Sequence, residues 1–126
     1  MWIKARFILF ATIAALASTA TQAGGPSFSC ARASAPDERA ICRSPALSAA
    51  DARMASLYRD IQHCTMMGGR SDNIEGQREW LAQRTLCGSN SLCIARLYQA
   101  RIAEFAPLAA KARKLMRAEE CPGPLR

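Results

Sequence analysis

Few residues of this chain are suited to nucleophilic or acid–base chemistry, and their spacing argues against catalysis. The one histidine, His63, stands directly beside Cys64. A Cys–His dyad needs a free thiolate within hydrogen-bond reach of the imidazole. Adjacent residues of a helix point about 100° apart, and Cys64 is expected to be oxidised. We therefore predict no dyad here, and a histidine that faces solvent.

Paired carboxylates are the other route to chemistry, since glycosidases use two of them. The candidates are Asp51, Glu75, Glu79 and Glu104. Glu75 and Glu79 share a helix face but have the pattern of solvated surface residues, and no segment resembles a sugar cleft. The pair Gly68-Gly69 is interpreted as a helix stop, not as a phosphate loop. The sequence thus predicts a protein that is not an enzyme and that uses no cofactor.

Six cysteines follow residue 23, namely Cys30, Cys42, Cys64, Cys87, Cys93 and Cys121. An even number in a short exported chain indicates disulfides. The spacing does not suit zinc, because there is no C-x2-C pair and only one histidine. We predict three disulfides and no metal site.

The first 23 residues have the pattern of a signal peptide. Lys4 and Arg6 precede an apolar run over 7–16, and small residues lead to Ala23. Cleavage is expected after Ala23, with Ala20 as the alternative. A retained membrane anchor is the other interpretation, but the run is shorter than the roughly 20 residues a span needs. No cysteine stands directly after the cleavage site, so we expect an exported, periplasmic or extracellular chain without a lipid anchor.

The mature chain, residues 24–126, has the length of a single domain and a formal net charge of +5 without Lys4 and Arg6. A basic chain favours anionic partners such as phospholipid headgroups or acidic wall polymers. Nucleic acid fits the charge but not the export signal. Simple solubility is the alternative explanation of the charge.

The sequence predicts an all-α fold, because strand patterns are nearly absent and Ala, Arg, Leu and Glu dominate. Four helices are expected, over 36–42, 45–67, 72–86 and from 91 onward. Ser34 with Asp37, and Asp72 with Glu75, are interpreted as caps of the first and third helices. Ile74, Trp80 and Leu81 are expected to face the interior from the third.

The fourth helix contains Pro107, which removes a backbone donor. Its apolar stripe, which begins with Tyr98, Ile102 and Phe105, nevertheless continues in phase to Met116, so we predict a kink rather than a break. The architecture is therefore a small disulfide-stapled three-helix bundle with a short leading helix and a C-terminal helical extension.

Short turns between the last three helices make them antiparallel, so residues can be placed at common heights. Asp51 and Arg84 are both three residues from one end, while Tyr58 and Arg101 are both ten residues in. With Trp80, one turn from Arg84, they are predicted to form a structural polar network. A cation–π contact between Trp80 and Arg84 is the alternative to a core tryptophan covered by an arginine stem.

The same counting suggests the disulfide pairs. Cys87 and Cys93 flank one turn, and Cys30 and Cys42 bracket the leading helix, which leaves Cys64 for Cys121. The last bridge would require a bend at Pro107. Cys42 lies at the same end as Cys87 and Cys93, so a bond to either of these stays open.

The extension over 106–126, the basic tail, carries four basic residues between Leu108 and Glu120, beside an apolar side. These candidate surface-binding residues are Lys111, Arg113, Lys114 and Arg117. A basic amphipathic helix of this kind can lie on a membrane or receive a partner. The alternative is that its apolar side packs on the bundle.

Over residues 26–105, about four-fifths of the mature chain, the sequence resembles the LprI-like lysozyme-inhibitor family. The most specific part is Trp-Leu-x-x-Arg-x-x-Cys. The positions that carry the resemblance are Phe28, Cys30, Ile41, Cys42, Leu47, Asp51, Tyr58, Gln77, Trp80, Leu81, Arg84, Cys87, Cys93, Tyr98, Arg101 and Ile102. Ser29 stands where the family has Asp, and Cys64 and Cys121 are additional to its usual four cysteines.

The resemblance implies a non-catalytic, exported protein that inhibits a lysozyme-type cell-wall hydrolase. Such hydrolases are commonly basic, as is this chain, so like charges oppose long-range steering. The alternative is an envelope-associated module that binds anionic lipid or wall polymer through its basic tail. A third possibility is a purely structural envelope protein. The sequence does not specify an oligomeric state.

Overall fold

The computed structural model describes residues 24–121. Within them lie a 3-10 turn, Cys30–Arg32, and four helices: α1 (Pro36–Arg43), α2 (Pro45–His63), α3 (Met67–Leu86) and α4 (Ser91–Arg117). The predicted signal peptide and residues 122–126 lie outside the described part. The fold is all-α, as predicted from the sequence.

The main packing is between α2 and α4, with α1 laid across α2 at one end. Both long helices place apolar residues every three or four positions, which puts them on one face. The buried core consists of Ala40, Ile41, Leu47, Met54, Leu57, Trp80, Ile94, Tyr98, Phe105, Ala109 and Ala112. The core therefore belongs mostly to α1, α2 and α4.

α3 runs antiparallel to α2 and α4 but contributes only two buried residues, Trp80 and Arg84. The prediction that Ile74 and Leu81 face the interior is wrong, because their exposed fractions are 43% and 37%. Trp80 and Arg84 are thus the two buried side chains that attach α3 to the fold. The other cross-helix contacts of α3 are partly buried hydrogen bonds, such as those of Arg70 and Asn73.

The boundary between α2 and α3 also differs from the prediction. α2 ends at His63 rather than Met67, and α3 begins at Met67 rather than Asp72. Gly68 and Gly69 therefore lie in the first turn of α3 and do not stop α2. Gly69 passes so close to Thr65 that a Cβ atom there would be 2.7 Å from the Thr65 Cγ2 atom. Close approach, not a left-handed helix end, accounts for this glycine.

Both predicted capping boxes are wrong. Asp72 and Glu75 lie inside α3. At α1 the N-cap is Ala35 rather than Ser34, and Glu38 accepts hydrogen bonds from the N–H groups of Ser34 (2.9 Å) and Ala35 (3.1 Å). Because Glu38 caps the helix, Asp37 is left for another role.

The three disulfides are Cys30–Cys42, Cys64–Cys121 and Cys87–Cys93, the pairs favoured by the sequence analysis. α4 continues through Pro107, which is exposed and has no N–H to donate to the carbonyl one turn earlier. The reversal that brings Cys121 back to Cys64 occurs later than expected, at Glu119, whose φ is +56°. The N–H groups of Glu119 and Glu120 donate to the carbonyls of Met116 and Leu115, a Schellman end.

Candidate functional site: a buried ion cluster between two clefts

Each of the four helices contributes one side chain to a single buried polar cluster. Arg84 of α3 donates from Nε to Asp37 Oδ2 of α1 at 2.8 Å and from Nη1 to the Tyr98 hydroxyl of α4 at 3.1 Å. The Tyr98 hydroxyl donates in turn to Asp51 Oδ1 of α2 at 2.7 Å. The backbone N–H of Ser27 donates to Asp51 Oδ2. The cluster therefore ties the N-terminal segment to all four helices.

Local features position these side chains. The Cys30–Cys42 disulfide and the hydrogen bond from Ser48 Oγ to the Ile41 carbonyl (2.8 Å) hold α1 against α2. Asp37 lies in the first turn of α1, where a carboxylate is favoured by the helix dipole. The Cys87–Cys93 disulfide and the Asn90 cap fix the α3–α4 turn, which sets Arg84 opposite Tyr98.

The electrostatics of the cluster favour its hydrogen-bonded form. Burial raises the pKa of Tyr98, and the hydrogen bond and charge of Asp51 raise it further, against a smaller opposing effect of Arg84. Burial works against the charge of Arg84, but Tyr98 and Asp37 outweigh it, so the pKa of Arg84 is raised. Arg84 thus stays a cation and Tyr98 a neutral donor.

The cluster has two carboxylates for one guanidinium, a formal charge of −1. Asp37 Oδ1 is buried and has no hydrogen-bond partner among the described residues. The described chain has 14 basic and 10 acidic residues, so its surface outside the cluster carries +5. The buried cluster is thus net negative, whereas the rest of the molecule is basic.

Aromatic rings surround the Arg84 guanidinium. Its Cζ atom lies 5.7 Å from the centre of the Phe28 ring and 5.9 Å from that of Trp80, at the outer range of cation–π contacts. Trp80 also meets the Tyr98 ring edge-on at 5.1 Å. Trp80 is therefore a core residue that Arg84 covers, the arrangement favoured over a separate cation–π site.

The predicted network divides in two. Asp51 Oδ1 lies 3.7 Å from Arg84 Nη1, at the common height counted from the sequence. Tyr58 and Arg101 are outside this cluster and meet at Phe105 instead. The Tyr58 ring stacks on it at 6.1 Å, and the Arg101 Cζ atom lies 4.3 Å from its centre.

Sequence analysis missed two members of the cluster, Asp37 and Tyr98. Asp37 was assigned to a helix cap and Tyr98 to the apolar stripe of the fourth helix. The sequence features that could have identified these two residues as cluster members are weak. An acid in the first turn of a helix is common without any partner, whereas a buried tyrosine hydroxyl usually requires one.

A cleft lies over the cluster between α2 and α3, with a volume of about 480 Å³. We call it the carboxylate cleft, because Glu38 and Asp51 line it. Its apolar wall includes Phe28 and Leu81. Arg84 is the one cation among its lining residues, so this cleft carries a formal charge of −1.

A second cleft lies farther along α2 and α3, near their connecting turn, with a volume of about 390 Å³. We call it the arginine cleft. It is lined by Tyr58, Arg59, Gln62, His63, Arg70 and Ile74. Tyr58 lines both clefts and separates them.

The basic tail is part of α4. Ala109 and Ala112 pack into the core, while Leu108 is 50% exposed. Arg113 pairs with Asp60 at 3.4 Å. The other three basic residues, Lys111, Lys114 and Arg117, are exposed. This part of α4 thus packs on the bundle through its alanines, while Leu108 and the basic residues face solvent.

Within residues 24–121, no three His, Cys, Asp or Glu side chains are grouped so as to hold a metal ion. His63 is exposed, and Cys64 is bonded to Cys121. In the same range, no helix is both long and apolar enough to cross a membrane.

Fold and site together define a small all-α, disulfide-stapled protein organised around a buried ion cluster. The disulfides indicate an oxidising compartment outside the cytoplasm. Comparison with known protein families, curated proteins and solved structures found no match. Membership of the LprI-like family therefore stays a prediction from the residues quoted above.

Proposed function

We propose that this chain is an exported, non-catalytic binding protein that inhibits a lysozyme-type cell-wall hydrolase in the periplasm or outside the cell. The signal-peptide pattern of residues 1–23, the three disulfides and the resemblance to the LprI-like family support the proposal. The observation that carries it is the carboxylate cleft, an open surface with apolar walls and acidic groups.

The carboxylate cleft offers a locally negative surface to a basic hydrolase, even though the two proteins carry net charges of the same sign. Although the molecule as a whole is basic, the charges that line this cleft sum to −1. Glu38 caps α1 through its Oε2 atom, which leaves Oε1 to accept a hydrogen bond from a partner. A lysine or arginine of the hydrolase would lay its stem against Leu81 and Phe28 and direct its charge to Glu38. Short-range pairing of this kind can outweigh the repulsion between the two net charges.

Matched variants test this surface. Leu81 is 37% exposed and lines the cleft, while Leu86, on the same helix, is 87% exposed and does not. Inhibition should be measured with a panel of lysozymes, together with pull-down from envelope extract. We expect Leu81→Ala to weaken inhibition and Leu86→Ala to leave it unchanged. Glu38→Gln keeps a capping acceptor but removes the charge, and should weaken inhibition as well. The proposal is contradicted if Leu81→Ala and Glu38→Gln both inhibit as well as the native protein, or if the native protein does not inhibit.

A second function has its own supporting observation. Leu108 is half exposed beside the exposed cations Lys111, Lys114 and Arg117, a pattern suited to an anionic lipid or wall-polymer surface. Deleting the tail is a poor test, because Ala109 and Ala112 belong to the core and Cys121 is bonded to Cys64. Charge reversal of Lys111, Lys114 and Arg117 to Glu is a cleaner one. It should abolish binding to anionic vesicles if the tail is the binding surface, and leave lysozyme inhibition intact.

A further inference from the structure

We propose that the arginine cleft is a binding site for a phosphate monoester. Two guanidinium groups, Arg59 and Arg70, and the imidazole of His63 line the cleft, and no carboxylate lines it. The nearest acid along α2, Asp60, is engaged by Arg113 on another side of the helix at 3.4 Å. The cleft is therefore a concave surface of hydrogen-bond donors that carries at least two positive charges.

Arg70 is held in place for this role. Its Nε atom donates to the backbone carbonyl of Gln62, in the last turn of α2, at 3.0 Å and to that of Thr65, in the α2–α3 turn, at 2.9 Å. These bonds fix the plane of the guanidinium and leave its two Nη groups for a ligand. A preorganised guanidinium loses little conformational freedom on binding and matches the geometry of an oxyanion.

Neutral donors complete the set. The Gln62 side chain donates to the Tyr58 hydroxyl at 2.8 Å, so the hydroxyl proton of Tyr58 is free to point into the cleft. The oxygen of the same Gln62 side-chain amide, Oε1, accepts a hydrogen bond from Asn73 Nδ2 at 3.0 Å. The network therefore fixes the orientation of Gln62 and makes Tyr58 a donor to the ligand.

Charge and shape select the ligand. A phosphate monoester carries about −1.5 to −2 at neutral pH, which balances two guanidinium groups better than a single carboxylate does. The Tyr58 ring and Ile74, which is 43% exposed, supply an apolar wall for the esterified group. This site shares only Tyr58 with the carboxylate cleft proposed for the hydrolase, and the proposal does not depend on that function.

The test is a titration of the full mature protein with phenyl phosphate, inorganic phosphate and acetate, followed by NMR shifts of backbone amides. We expect saturable shifts confined to residues 58–63 and 70–74, with phenyl phosphate binding most tightly and acetate most weakly. Absence of saturation in the millimolar range overturns the site. Acetate binding as tightly as phosphate overturns the assignment to phosphate.

Variants separate a built site from general attraction to a basic protein. Arg59→Gln removes an exposed cleft cation, and Arg53→Gln removes an exposed cation of the same helix that does not line the cleft. A charge-assisted hydrogen bond accounts for about tenfold in affinity, so we expect that loss in Arg59→Gln and no loss in Arg53→Gln. Tyr58→Phe keeps the ring on Phe105 and should also weaken binding. Equal weakening in the two arginine variants overturns the proposal.

The same chemistry occurs in membrane headgroups and in soluble esters, and two further measurements distinguish them. One is flotation with phosphatidylcholine vesicles that contain phosphatidic acid, and the other is titration with glycerol 3-phosphate. Flotation that is lost in Arg59→Gln assigns the ligand to the lipid. Binding of the soluble ester without flotation assigns it to a free metabolite. Absence of both overturns the site.

Discussion

Arg84 of α3 and Asp37 of α1 form a 2.8 Å ion pair, Nε to Oδ2, across 47 residues of sequence. Arg84 also lies 3.7 Å from Asp51, but without a direct hydrogen bond to it. Since α3 has only Trp80 as a second buried residue, this pair is a principal attachment of α3 to the fold.

The first prediction concerns that attachment. Arg84→Ala should lower the free energy of unfolding by about 3–5 kcal/mol, because it leaves two buried carboxylates without their cation. Double-mutant cycles in urea should give a larger coupling for Asp37–Arg84 than for Asp51–Arg84, since only the first pair is directly hydrogen-bonded. The exposed pair Glu75–Arg78 is the control, and its coupling should stay under about 1 kcal/mol. Equal couplings in all three pairs would contradict this view of the cluster.

The second prediction is a loss of stability in alkali. The pKa of Tyr98 is raised by burial and by Asp51, so above the unfolded-state value of about 10 the native state binds more protons than the unfolded state. The contribution of Tyr98 to the free energy of unfolding is therefore fully present below about pH 10, and it is lost as the pH rises through and beyond that value. The measurement is urea unfolding of the native protein and of Tyr98→Phe at increasing pH. The free energy of unfolding should fall less steeply with pH in the variant, which lacks the Tyr98 hydroxyl. In Tyr58→Phe, where Tyr98 is the sole tyrosine, phenolate absorbance should appear only together with unfolding.

The third prediction concerns the end of α4. Glu119 has a left-handed φ of +56°, which disfavours any residue with a Cβ atom, and its negative charge lies at the unfavourable end of the helix dipole. Glu119→Gly should therefore raise the free energy of unfolding by about 0.5–1 kcal/mol. The control is Ala118→Gly, where φ is −86° and glycine should destabilise instead. Thermal unfolding of both variants provides the comparison, and stabilisation by both would refute the argument.

The fourth prediction ranks the disulfides. Chain-entropy arguments make the stabilisation grow with the length of the closed loop. The separations are 57 for Cys64–Cys121, 12 for Cys30–Cys42 and 6 for Cys87–Cys93. Paired Cys→Ala variants should thus lose about 4, 3 and 2 kcal/mol respectively, measured by urea unfolding. A reversed order would show that native-state contacts, not loop length, dominate their effect.

Much of the fold followed from the sequence because its signals are local. Apolar periodicity predicted the α2 and α4 faces, and Leu47, Met54, Ile94 and Phe105 are buried. The start of α2 at Pro45 was predicted, and there the Ser44 hydroxyl accepts a hydrogen bond from the N–H of Leu47 at 3.2 Å. Counting residues from the short turns was enough to place Asp51 near Arg84.

The errors have a common cause in tertiary contacts that leave no periodic signal. Gly68-Gly69 has the pattern of a helix stop, but the neighbour that requires Gly69 is Thr65 across the α2–α3 turn. Similarly, Asp37 is compatible with an ordinary capping role until α3 brings Arg84 to it. Leu81 looked like a core residue, yet α3 has no helix packed against that side.

The Cys64–Cys121 bond also determines the covalent topology of the protein. Together with the chain between its ends, it forms a closed ring that contains all of α3 and α4. A protease that cuts one peptide bond between residues 65 and 120, for instance in the exposed first turn of α3, therefore produces no separate fragment. The nicked protein keeps its mass, apart from one added water molecule, until the disulfide is reduced.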